Sequence, residues 1–246
     1  MSLRKFYNRY WSEFNGWSPS NISLSRLERY LLYRYLQPGL DVIEYGSGDC
    51  SHYGPVISSL QVHYVGLDIS EVAVQGCHER GMNAIVHDLN EPAPFPNDSF
   101  DVAICFEVLE HLFRPDVTLR DIHRVLKPAG IALITVPNVV YLPNRLLFFL
   151  GLFNPGGSPV TSLREPWRDP HIRFFTRVSL LRLLKEVGFV VVEFKGEFTF
   201  AHFPVVYKLR RIKRIAEFLS IPLRSLGYYW PSVFAFRFFV VAKKSN

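Results

Sequence analysis

The chain has 246 residues, 48% of them hydrophobic, and 28 Lys and Arg against 22 Asp and Glu, a net charge of +6. This length can bury a full core in one doubly wound domain with an appended subdomain, and the apolar content excludes a disordered chain. The positive balance points to an anionic partner, nucleic acid or a membrane surface, without choosing between them.

The start, Met1-Ser2-Leu3-Arg4-Lys5-Phe6-Tyr7, lacks the apolar core of a secretory signal. Residues 22–36 follow with Ile22, Leu24, Leu27, Leu31 and Leu32 near helical spacing, Ser23 or Ser25 as N-cap and Pro38-Gly39 as the stop, so residues 1–38 read as a helical lead-in. From residue 40 the pattern alternates: strands near 41–45, 62–67, 83–86, 100–105 and 130–136, with helices near 51–60, 70–80 and 115–126. Such alternation implies right-handed crossovers and a parallel sheet covered on both faces.

Residues 139–170 change character, with Pro143, Pro155, Gly156-Gly157, Pro159, Pro166 and Pro170 leaving little room for regular core elements. Helical spacing returns at 177–187 and stops at Gly188, followed by a strand at 189–194 and a last one at 234–242. The longest purely apolar stretch, Leu146 to Phe149 resuming at Leu152, falls far short of the roughly 20 residues that span a bilayer. Between the last strands, Val205, Val206, Leu209, Ile212, Ile215, Ala216 and Leu219 recur at three and four while Lys208, Arg210, Arg211, Lys213 and Arg214 fill the other faces, a basic amphipathic helix. Packed on the domain it is a lid helix with its charges in water; laid on an anionic bilayer, 205–219 is a peripheral membrane contact. Cys50, Cys77 and Cys105 are odd in number with no Cys-x-x-Cys pair, so neither a disulfide framework nor a zinc knuckle is expected, and a reducing cytoplasm is.

The chemistry concentrates at Val42-Ile43-Glu44-Tyr45-Gly46-Ser47-Gly48, a strand running into a glycine turn, with Asp68 closing the next strand. Glycines at 46 and 48 let the chain turn off the strand end and let a cofactor approach the backbone, and Asp68 lies where a carboxylate can accept both ribose hydroxyls. A dinucleotide fingerprint would want a third glycine at Ser51 and no carboxylate near the pyrophosphate, where Glu44 and Asp49 stand. A cationic cofactor without phosphate, S-adenosylmethionine, satisfies these charges.

Glu44-Tyr45-Gly46-Ser47-Gly48 and Gly66-Leu67-Asp68-Ile69-Ser70 resemble the first motif and the ribose-binding acidic motif of class I S-adenosylmethionine-dependent methyltransferases. His87-Asp88-Leu89, Pro94 to Val102, Glu107-Val108-Leu109-Glu110-His111 and Arg124 to Gly130 resemble the family's later landmarks, in order; Cys50 departs from it where many members carry a third glycine. The resemblance implies an α/β fold, a doubly wound, Rossmann-like, seven-stranded and mostly parallel sheet whose antiparallel last strand lies beside the sixth. The whole chain would be a single methyltransferase domain with 139–170 and 196–230 as lid or substrate insertions. It also implies that Asp88 binds the adenine amino group, that Leu89 and Ile69 flank the ring, and that Phe106 covers the cofactor. With Glu44, Gly46, Ser47, Gly48 and Asp68, these are the expected cofactor-binding residues.

Glu107, Glu110 and His111 are spaced three and four apart, which would put all three side chains on one side of a helical turn near the cofactor's methyl end. They resemble the Glu-x-x-Glu-His segment of ubiquinone-pathway O-methyltransferases and small-RNA 2′-O-methyltransferases, where a metal helps bind the acceptor hydroxyl, and His171 matches the later histidine of that set. Three readings stay open: Glu107, Glu110, His111 and His171 hold a divalent cation such as Mg; His111, with Glu107, is a metal-free general base; or the group braces the helix. Phe148, Phe149, Phe153, Trp167, Phe198, Phe200, Phe203, Tyr207, Tyr228, Tyr229 and Trp230 in the two insertions suit a small, hydrophobic or lipid-linked acceptor, methylated on oxygen. An RNA 2′-O-methyltransferase and a non-catalytic S-adenosylmethionine-binding module are the alternatives; no separate RNA-binding module or aromatic groove favours nucleic acid.

Overall fold

The computed structural model describes residues 2–13, 24–152, 170–198 and 224–245. Seven strands, β1 (Asp41–Tyr45), β2 (His63–Asp68), β3 (Ala84–Val86), β4 (Phe100–Phe106), β5 (Leu126–Pro137), β6 (Phe189–Glu197) and β7 (Arg237–Lys244), lie in the order β3-β2-β1-β4-β5-β7-β6. The first five pair in parallel, and β7 runs antiparallel to both β5 and β6. This is the mostly parallel sheet expected from the alternation, with the antiparallel last strand that the family resemblance implied.

Helices α1 (Leu3–Glu13), α2 (Arg26–Tyr35), α3 (Gly54–Ser59), α4 (Glu71–Glu79), α5 (Pro115–Val125), α6 (Leu142–Phe149), α7 (Arg177–Val187), α8 (Arg224–Tyr229) and α9 (Pro231–Phe234) complete the described chain. Their starts follow local chemistry. Ser25 and Glu28 close a reciprocal capping box on α2, and the Ser70 side chain accepts from Ala73 N–H at the head of α4. Thr176 and Ser179 do the same for α7, which ends at Gly188 in a left-handed cap with φ of 105°.

Because successive strand residues point to opposite faces, the sheet builds two cores. Ile43, Tyr45, Ala103, Cys105 and Ile134 pack under Leu119 and Ile122 of α5 and Leu180 and Leu184 of α7. Val42, Ile104, Phe106 and Leu133 pack on the other face with Leu31 and Leu32 of α2, Ile57 of α3 and Val74 of α4. Burial on both faces is why these strands read as nearly continuous apolar runs.

The structure differs from the sequence reading at several points. Residues 142–149 form a helix despite the breakers around them, since Pro143 sits in its first turn, where no N–H is needed. The last strand begins at Arg237, because Pro231–Phe234 takes up one helical turn first. Cys50 and Cys77 are joined in a disulfide, contrary to the expectation from their count; 27 residues separate them in sequence, yet the turn after β1 and helix α4 bring their Cα atoms to 5.0 Å. Cys105 is the buried, unpaired thiol. The basic segment 205–219, with Phe153, Trp167, Phe200, Phe203 and Tyr207, lies outside the described residues. No helix among the described residues is long and apolar enough to cross a membrane.

Closing a loop of 27 residues removes chain entropy from the unfolded state, worth about 3 kcal/mol. Urea unfolding of the oxidised protein is therefore expected to show a stability loss approaching that size on adding dithiothreitol, and Cys77→Ser should reproduce the loss and abolish the response to reductant. Equal midpoints with and without reductant would show that the bridge does not constrain the chain.

Candidate active site

The glycine turn leaves β1 with Gly46 at φ 79° and Gly48 at φ 54°, both in the left-handed region. The N–H groups of Gly46 and Ser47 both donate to the Leu67 carbonyl, at 2.7 and 3.0 Å, which ties the turn to the end of β2. Beyond the cofactor approach expected from sequence, protein atoms also crowd both positions. A Cβ at 46 would lie 2.3 Å from Val108 Cγ2, and one at 48 would lie 2.7 Å from the ring of Trp11. Cys50 also has positive φ, 57°, in place of the family's third glycine, and its disulfide holds it there.

Asp68 is buried at the carboxyl end of β2. Its Oδ2 accepts from Gly48 N–H at 3.0 Å and its Oδ1 from Ser70 N–H at 2.9 Å. Burial pushes its pKa up to about 6, and the two amide bonds oppose the rise. Glu44 is buried inside the turn and accepts from the Tyr64 hydroxyl; desolvation carries its pKa to about 7. Asp49 is engaged by Arg80 at 3.1 Å, and Ser47 is buried beside the disulfide.

Asp88 follows β3, with Oδ1 accepting from the backbone and side-chain N–H of Asn90 at 3.0 and 2.8 Å. Leu89 is buried with its carbonyl accepting from Thr118, and Ile69 is half-buried. Phe106 does not match its expected place over the cofactor. It faces the α2 side of the sheet, inside the core and 5.2 Å from the Tyr53 ring, because the alternation along β4 turns it there.

The expected helical turn carrying Glu107, Glu110 and His111 is replaced by a left-handed residue and a short 3-10 turn, Leu109–His111. Glu107 has φ 54°, a cost of roughly 1–3 kcal/mol for a non-glycine residue, and its N–H donates to the Thr135 carbonyl at 3.1 Å. Its carboxyl faces the field of Arg237, whose guanidinium bonds Glu28 at 2.9 Å and Glu197 at 3.1 Å. Glu110, His111 and His171 instead gather with one ligand atom each within 4.8 Å of the others, and Glu107 is outside this group. The Glu110 carbonyl makes the meeting: it accepts from Ile172 and Arg173 N–H, both at 2.9 Å, and so brings His171 to stack on His111 with ring centroids 4.6 Å apart. Burial and the neighbouring Glu107 raise the Glu110 carboxyl well above its usual range, and Glu107 is raised as well, with Arg237 opposing. Among the described residues neither Glu110 side-chain oxygen has a hydrogen-bond partner, and Oε1 lies 3.8 Å from His171 Nε2.

Arg237, Thr135, Tyr7 and Trp11 were not read as site residues. A single arginine inside the apolar run Phe234-Ala235-Phe236-Arg237-Phe238-Phe239 was the one available signal; nothing local marks the other three.

The ends of β2, β1 and β4, three neighbours in the sheet, thus carry in turn a buried carboxylate, a glycine turn and a His–Glu cluster. A family model described as a methyltransferase domain matches residues 18–194. The chain belongs to the class I S-adenosylmethionine-dependent methyltransferase family. A Mycolicibacterium smegmatis protein named as an S-adenosylmethionine-dependent methyltransferase is 29% identical over 161 residues, 65% of this chain and 56% of that protein. The chain thus spans little more than half the length of the curated relatives it matches. Its fold is also that of a Haemonchus contortus phosphoethanolamine N-methyltransferase solved with S-adenosylmethionine, with TM-score 0.70, 21% identity, and coverage of 100% of this chain and 60% of that one. A Thermotoga maritima S-adenosylmethionine-dependent methyltransferase gives TM-score 0.65 at 17% identity, covering 99% and 100% of the two chains.

As a carboxylate Asp68 can accept two hydroxyls with charge assistance, whereas protonation turns one oxygen into a donor and removes the charge, so its raised pKa of about 6 fixes the sign of the pH effect. Calorimetric affinity for S-adenosylhomocysteine should fall as pH drops below about 6, approaching roughly tenfold per unit, while Asp68→Asn should bind weakly throughout and lack the carboxylate's titration. An affinity unchanged down to about pH 5 would contradict the role of this carboxylate.

Proposed function

We propose that this methyltransferase transfers the sulfonium methyl of S-adenosylmethionine to an oxygen of a small, apolar or lipid-linked acceptor, with His111 receiving the proton. The observation that carries this reading is the stacked His111–His171 pair beside a buried Glu110, set after β4 and one strand from the glycine turn. A donor whose ribose lies at Asp68 and whose methionine part crosses the turn would bring its methyl group to that cluster, since neighbouring strands are about 4.8 Å apart.

The transfer is an in-line displacement. The acceptor oxygen forms a bond to the methyl carbon, the carbon–sulfur pair returns to sulfur, S-adenosylhomocysteine leaves, and the hydroxyl proton passes to His111. Most of the acceleration comes from placing the reactants in contact and alignment, worth on the order of 7–11 kcal/mol. A neutral amine attacks a sulfonium carbon through its own lone pair, whereas a hydroxyl gains from losing its proton during attack, so a base at this position suits oxygen. In this reading Asp88, Leu89 and Ile69 hold the adenine, Glu44 supplies negative field, and Glu107, facing Arg237, fixes the wall beside the acceptor.

An apolar acceptor is supported by the exposed Phe148 and Phe149 of α6 and by Tyr228, Tyr229 and Trp230 at α8. Those residues and the basic 205–219 sequence are also the parts of the chain suited to meet an anionic bilayer.

Glu110, His111 and His171 support a second reading, a divalent cation held beside the acceptor, through the unpartnered Glu110 oxygens and the clustering of three donors. One carboxylate and two imidazoles suit zinc, iron or manganese better than the Mg expected from sequence. Such an ion, when bound, would lower the acceptor hydroxyl's pKa.

Labelled methyl transfer into a fractionated cell extract tests both. Label in the lipid or apolar small-molecule fraction, insensitive to chelator and reduced by about 10²–10⁴-fold in His111→Ala with S-adenosylhomocysteine affinity retained, is the expected result. Chelator sensitivity would select the metal reading, and undiminished transfer by His111→Ala would remove His111 as the base.

A further inference from the structure

Helix α1 buries none of its side chains fully, yet its residues reach the glycine turn, the head of α4 and His111. Trp11 lies against Gly48 so closely that a Cβ there would meet its ring at 2.7 and 2.8 Å. Three residues earlier, Asn8 Oδ1 accepts from Ser70 Oγ and from Glu71 N–H, both at 2.9 Å, at the head of α4 and two residues past Asp68. Arg4 adds an exposed pair with Glu71 at 3.6 Å. Tyr7, on the same face as Trp11 by its spacing of four, presents its ring edge to His111 with centroids 6.5 Å apart. Burial and the charges of Asp68 and Glu110 keep the Tyr7 hydroxyl protonated. One short helix therefore touches the ribose end, the glycine turn and the acceptor end.

An 11-residue helix is marginal in water unless it packs on something, and α1 packs on the site, not on either core. Phe106, the residue expected to cover the donor, is committed to the core. From these observations we propose that Trp11 and Tyr7 form the missing wall of the donor site, with α1 closing over bound S-adenosylmethionine and lifting away for exchange. The inference rests on the donor site described above. Trp11 would shield the methionine and ribose parts against the turn, and Tyr7 would form the side wall next to the sulfonium and His111, where an aromatic ring attracts a cation and excludes water while the line from methyl to His111 stays open to the acceptor.

The test uses the full chain with Trp17, Trp167 and Trp230 changed to Phe, so that Trp11 is its only indole. Titration with S-adenosylhomocysteine should shift Trp11 emission saturably, at the midpoint that calorimetry gives for the same protein. In the otherwise unaltered chain, Trp11→Ala should weaken S-adenosylhomocysteine binding about tenfold or more and quicken its release, Trp11→Phe should restore most of the affinity, and the unfolding midpoint without ligand should stay unchanged. Tyr7→Leu should weaken S-adenosylmethionine more than the uncharged S-adenosylhomocysteine. Unmoved Trp11 emission at calorimetric saturation, or unaltered affinity in Trp11→Ala, would overturn the proposal while leaving the donor site standing; no binding by the unaltered chain would bring down both.

Discussion

A carboxylate taken out of water at the end of β2, and held there by the N–H groups of Gly48 and Ser70, is the constraint around which the site is arranged. Desolvation alone would neutralise Asp68. The two amides offset part of that cost and aim the carboxylate, and the Gly46 and Ser47 bonds to the Leu67 carbonyl fix the same turn from below. Glu44 is subject to the same pressure, so the pocket holds carboxyls poised between charged and neutral. A positively charged donor stabilises their ionised forms and an anionic dinucleotide would not.

Beside the His–Glu cluster a different balance operates. Arg237 projects from β7 into a set of acids, bonding Glu28 of α2 and Glu197 of β6 and facing Glu107 beyond β4. Buried charge of this kind is tolerated only when paired, and the pairing ties α2, β6 and β7 to the residue that leaves β4 with a left-handed backbone. The turn of the chain at Glu107 then directs Glu110 and His111 toward His171. The Asp68 turn at the ends of β1 and β2 and the Arg237 group at β4, β6 and β7 are thus held by separate polar networks.

The sheet was legible because its residues obey local rules. Val42, Ile43 and Tyr45, with Val102 to Phe106, are apolar on both faces, as a covered parallel strand requires, and Ser25, one of the two caps read from the chain, closes the head of α2. The glycine turn and Asp68 were legible for the same reason, although nothing local showed that Val108 and Trp11 lie in the space a side chain at 46 or 48 would need. What could not be read depends on distance in space. Cys50 and Cys77 meet only because α4 returns alongside the turn, Phe106 turns inward through the phase of β4, and the three-and-four spacing of Glu107, Glu110 and His111 presumed a helix that the chain does not form. Helix α1 carries no local mark of its contacts with Gly48, Ser70 and His111.

The most direct measurement is a crystal structure of the chain with S-adenosylhomocysteine, read at one pair of contacts. The account requires the Asp68 carboxylate to accept both ribose hydroxyls at about 2.5–3.0 Å, with the thioether sulfur directed toward His111. A ribose bound elsewhere, or an Asp68 that keeps only its Gly48 and Ser70 amides, would contradict it.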